Sequence, residues 1–81
     1  MPIRLTLHAR EAIEDRGLLV DWIETTVTMP ERTQPDPLDP TLMRAFRSIP
    51  EATGRILRVV YRNDGDETVI VTAHFDRGAS R

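Results

Sequence analysis

The chain has 81 residues, 40% of them apolar, and its eleven basic residues, all arginine, stand against thirteen acidic ones for a formal charge of −2. That length makes one small domain with a thin core, expected to draw part of its stability from a partner or from dimerisation. The absence of cysteine excludes disulfides and thiolate metal sites. No apolar run approaches the roughly 20 residues of a membrane span, no signal peptide is recognisable, and the net negative charge argues against general polyanion binding. A cytoplasmic protein is expected, and any contact with nucleic acid must be made through a local patch.

In chain order, Ile3 to Leu5 can form a short strand. Thr6 is then placed as an N-cap and Gly17 as the residue just beyond a C-terminus, which predicts a helix over residues 7–16. At 100° per residue Ala9, Ala12 and Ile13 make one stripe, with Arg16 in its middle and His8 at its edge. Arg16 therefore either runs its stem over the core with its head in water, or meets a carboxylate or a ligand. A second helix is predicted over residues 20–28, with Trp22, Ile23, Thr26 and Val27 on its apolar side and Pro30 enforcing its end. Four prolines between Pro30 and Pro40 mark residues 30–41 as an extended connector.

Beyond the connector the hydrophobic period changes from 3.6 to 2. Strands are predicted over residues 42–48, 55–62 and 68–75, the last two joined by a hairpin turn at Gly65. Segregating Leu57, Val59 and Tyr61 with Val69, Val71, Ala73 and Phe75 on one face predicts a pairing in which Arg58 faces Thr72 and lies diagonal to His74. Arg44, Phe46, Arg58, Arg62 and His74 then share the reverse face, a basic and partly aromatic surface. The predicted architecture is α+β: two N-terminal helices on one face of a three-stranded antiparallel sheet, or a four-stranded one if Ile3 to Leu5 pairs.

HAREAIEDRGL, followed by a short helix ending at proline and by the strands GRILRVVYR and ETVIVTAHF, resembles the family called domain of unknown function 4258. Its members begin with a His-Ala-Arg helix and an Arg-Gly-Ile turn like Arg16, Gly17 and Leu18. That family is in turn similar, distantly, to the RelE and BrnT toxins of bacterial toxin–antitoxin modules. The resemblance implies metal-independent RNA cleavage, without a cofactor, restrained by an antitoxin protein. In that chemistry a 2′-hydroxyl attacks the adjacent phosphate, which calls for a base, a proton donor and fixed cations. His8, Arg58 and His74 are the candidate catalytic residues, and Arg16, Arg44, Phe46 and Arg62 the candidate RNA contacts. The chain departs from the toxin pattern in being acidic and free of lysine. The alternative function is a non-enzymatic module that binds a protein partner or forms a homodimer. No metal site is expected, because two histidines lack companion ligands at suitable spacing.

Overall fold

The computed structural model describes residues 2–78. It is an α+β fold, with strands β1 (Ile3–Leu5), β2 (Arg32–Pro35), β3 (Met43–Ile49), β4 (Arg55–Asp64) and β5 (Glu67–Phe75), and helices α1 (Leu7–Arg16) and α2 (Val20–Thr28). The strands form one sheet in the order β1-β5-β4-β3-β2. β1 runs parallel to β5, and the other pairings are antiparallel.

The sheet thus has five strands where three or, with Ile3 to Leu5, four were predicted; that extra strand is present as β1, but it pairs in parallel, so the sheet is mixed rather than antiparallel. β2 lies inside the proline-rich segment that was expected to be a plain connector. Arg32 to Pro35 pair with Phe46 to Met43, and Pro35 is tolerated because an edge strand can dispense with a ladder donor. The residues that follow are also ordered. The Asp36 carboxylate accepts from the Leu38 and Asp39 backbone amides, and that of Asp39 from the Thr41 amide and hydroxyl, the Asx turns these residues favour.

Both helices lie on one face. Ala9, Leu18, Ile23 and Val27 join Ala45, Ile49, Leu57, Val59, Ile70 and Ala73 in a continuous core. α2 packs on β3 and β4, whereas α1 lies along β5 and β1. Ala9 and Ala12, at 0% and 3% exposure, present no bulk and let α1 approach β5 closely. Thr6 caps α1 by accepting from the Ala9 amide, and Gly17 ends the helix in a left-handed conformation at φ 64°. Arg47, which the alternation of its strand leaves on the helix side, donates to the Met29 carbonyl at 2.7 Å, closing the end of α2.

The pairing of β4 with β5 corrects the predicted register. A two-residue turn, Gly65 and Asp66, sets Asp64 opposite Glu67, with Gly65 at φ 63° in the position where such hairpins need a left-handed residue. Tyr61 consequently faces Ile70, and Arg62 faces Val69. Continued unbroken, that register would put Leu57 and Val59 on the face opposite Ala73 and Phe75. A β-bulge between Val60 and Tyr61 moves the pairing by one residue, so that Val59 faces Ala73 and Leu57 faces Phe75. Val71 is left unpaired at the bulge. Its carbonyl accepts from the Thr6 hydroxyl at 3.2 Å, while the Thr6 amide donates to Ile70 at 3.1 Å. Arg58 therefore faces His74 directly, not Thr72. Val69, expected in the core beneath the helices, is fully buried on the reverse side.

Candidate functional site

The reverse face carries Arg44, Phe46, Arg58, Arg62 and His74, because these residues alternate with the core positions Ala45, Leu57, Val59 and Ala73. At its centre an Nη of Arg58 donates to His74 Nε2, and the other Nη lies 3.4 Å from the Asp76 carboxylate. The Arg58 Nε is buried and has no hydrogen-bond partner among the described residues. Only about a fifth of the Arg58 side chain is exposed.

His74 is held below the ordinary imidazole range. Burial is the main cause, and the charges of Arg58, Arg16 and Arg44 act in the same direction against the weaker pull of Asp76. The ring is accordingly neutral at pH 7. With Nε2 accepting from Arg58, its own proton resides on Nδ1.

Arg44 lies diagonal to Arg58 across β3 and β4. Its Nε donates to Asp36 at 3.1 Å, and both side chains are largely withdrawn from solvent. The carboxyl of Asp36 is held below its usual range, chiefly by the Leu38 amide, with Asp39 and Arg44 adding to the effect. Phe46 is 3% exposed beneath the Arg32 guanidinium, which lies 4.2 Å from its ring centroid. It is therefore a buried platform for Arg32 and not an open surface for a base. Arg62 lies four residues along β4 from Arg58, about 13 Å away at strand spacing, and takes no part in the histidine cluster.

The two histidines are not brought together. His8 is exposed in the first turn of α1, and eight residues of helix, about 12 Å, separate it from Arg16 at the other end. Arg16, not His8, shares a depression with His74. With Arg55, Phe75 and Arg77 they line an open depression of about 390 Å³ at the end of β5. Arg16, Arg55 and Arg77 have no carboxylate within ion-pair distance among the described residues. Three guanidinium groups without a carboxylate partner among the described residues thus share a depression with an imidazole on a protein of net negative charge. Such a place suits an anion with several acceptor oxygens.

Arg55 and Arg77 were absent from the sequence-derived site. They sit at the open end of the β4–β5 hairpin, just outside the Leu57–Phe75 pair, and extending that pairing outward would have drawn attention to both. Arg55 is anchored, its guanidinium 4.0 Å from the Phe75 ring centroid and its Nε donating to the Ala52 carbonyl at 3.3 Å. Phe75 is backed in turn by Trp22 of α2, at 6.1 Å between ring centroids and tilted by 58°.

Among the described residues no three histidine, cysteine or acidic side chains gather as metal ligands. No helix among them is long and apolar enough to cross a membrane. The family model described as Domain of unknown function (DUF4258) matches residues 5–75. No curated protein and no solved structure matches the chain.

Proposed function

The chain belongs to the DUF4258 family, and from that premise we propose that it is a metal-independent endoribonuclease resembling the RelE and BrnT toxins, with its active site at His74. The observation that carries this reading is a neutral imidazole, hydrogen-bonded to Arg58, at the rim of a depression lined by Arg16, Arg55 and Arg77. Arginines bind the scissile phosphate and hold the charge that accumulates on its oxygens. A phosphate that draws the Arg58 guanidinium toward itself frees His74 Nε2 to take the proton of the 2′-hydroxyl. The O2′–P bond forms, the P–O5′ bond breaks, and the proton reaches the departing 5′-oxygen through water. The products are a 2′,3′-cyclic phosphate and a 5′-hydroxyl. The Arg58 Nε, like Trp22 Nε1 beside the core, is a buried donor without a partner among the described residues, and in this reading the Arg58 Nε is left for a phosphate oxygen.

In this reading His8 is not catalytic, the protein acts in the cytoplasm, and an antitoxin protein holds it inactive. The test is incubation of purified protein with RNA in the presence of EDTA, alongside growth measurements on induced expression. Wild type is expected to cleave, and His74→Ala and Arg58→Ala to lose about 10²- to 10⁴-fold in rate, the usual worth of a positioned acid or base. His8→Ala is expected to match wild type. Intact RNA and unaffected growth with wild type would overturn the enzymatic reading. They would favour the alternative, a protein-interaction or dimerisation module using the helix of Trp22, where Leu19 and Val20 are exposed at its start, or the sheet edge.

A further inference from the structure

The depression offers more than charge. Arg55 is exposed, yet its guanidinium plane is fixed from one side by the Phe75 ring and along one edge by the Ala52 carbonyl. With the Phe75 ring on one side of it and the residue exposed, the guanidinium has a side that the protein leaves open. It is already ordered, so a flat ligand group laid on the outer face meets a platform that loses little freedom on binding. Trp22 behind Phe75 prevents the ring from yielding. Arg16 and Arg77, by contrast, have neither a ring nor a carboxylate partner among the described residues and are free to turn toward phosphate oxygens. The other arginine-on-phenylalanine pair, Arg32 over Phe46, belongs to strands β2 and β3 and is not part of this depression.

We propose that the depression is a subsite for a single unpaired nucleotide, whose base stacks on the outer face of Arg55 while its phosphate is held by Arg16 and Arg77. The ligand class is therefore single-stranded RNA. A base within a duplex is already stacked on both faces and cannot reach Arg55 without leaving the helix. This inference rests on the reading of the depression as an RNA phosphate site, and it adds selection by strandedness and by the presence of a base.

The test uses a short, fluorescently labelled 2′-O-methyl oligoribonucleotide, which lacks the attacking hydroxyl, so that binding is measured without cleavage. Its affinity for the full chain is compared with that of the same strand in a duplex and of the same strand made abasic. Stacking predicts that the duplex and abasic forms bind about five- to tenfold more weakly. Arg55→Lys keeps the charge but has no plane, and is expected to lose the same factor on the single strand while gaining nothing from the base. Arg16→Ala is expected to weaken all three ligands alike. Equal affinity for base-containing and abasic strands, or an Arg55→Lys protein that still discriminates them, overturns the stacking subsite. If that happens while an ordinary RNA strand is still cut, the inference fails and the ribonuclease reading stands. If discrimination is found but no RNA is cut, catalysis fails and the subsite stands.

Discussion

Replacing Thr6 by alanine tests how the fold positions the site. The Thr6 hydroxyl makes two bonds with one oxygen: it accepts from the Ala9 amide at 3.0 Å and donates to the carbonyl of the bulged Val71 at 3.2 Å. Loss of an N-cap costs about 1 kcal/mol. Leaving a part-buried carbonyl without its partner costs about 1 kcal/mol more. The sum, about 2 kcal/mol, is a large part of the roughly 4–12 kcal/mol expected for a chain of this length. It corresponds to a fall in Tm of about 10 °C, at roughly 4–8 °C per kcal/mol for domains of this size. Urea denaturation of wild type, Thr6→Ala and Thr6→Ser measures it directly. Serine keeps the hydroxyl, so Thr6→Ser is expected within about 0.5 kcal/mol of wild type. An alanine variant that loses less than about 0.5 kcal/mol, or a serine variant as unstable as the alanine one, would show that this oxygen does not join α1 to the bulge.

Gly17→Ala is expected to lower stability by about 1 kcal/mol through backbone strain alone. The residue sits at φ 64° and an added Cβ meets nothing within 4 Å, so in denaturant melts Gly17→Asn should fall nearer to wild type, asparagine tolerating that conformation better. Leu57→Ala empties a fully buried position among Ala45, Val59 and Ala73; a loss of about 3 kcal/mol is expected on equilibrium unfolding, and a loss below about 1 kcal/mol would contradict a close-packed site. The depressed imidazole of His74 gives stability a pH dependence of definite sign. Its contribution is complete above the ordinary imidazole value of about 6.5. It declines as pH falls below that value, because the unfolded chain takes the proton first, and it levels off below the lowered folded value. Melts from pH 8 downward should therefore show wild type losing stability relative to His74→Gln across that window, and parallel curves would refute the assignment.

The α+β class was legible in the residues because its signals are local. Thr6 and Gly17 punctuate one helix, Pro30 follows the other, and alternation with a glycine turn marks the hairpin. That Arg58 and His74 share a face was expected from segregating the apolar residues of the two strands, but the hairpin turn alone would have put them on opposite faces, and the bulge brings them back to one. Their direct opposition was not legible. It depends on the bulge, and which register wins is decided by burial of Ile70 and Ala73 under helices that are distant in the chain. β2 was hidden by its prolines, since composition cannot say that an edge has an unpaired neighbour to join.

What the sequence determined by itself is the two helices with their ends, the hairpin, and the alternation of sides within an unbroken stretch of strand, because capping, turn chemistry and side-chain alternation act over a few residues; the bulge that moves Val69 to the reverse side lay beyond that reach. Only the tertiary structure decided that Arg16 rather than His8 lines a depression with His74, that Phe46 lies under Arg32, and that Arg55 is held against Phe75. These are placements of groups brought together by packing the helices on the sheet and by assembling its strands. They depend on where whole elements come to rest, and short-range propensity carries no information about that.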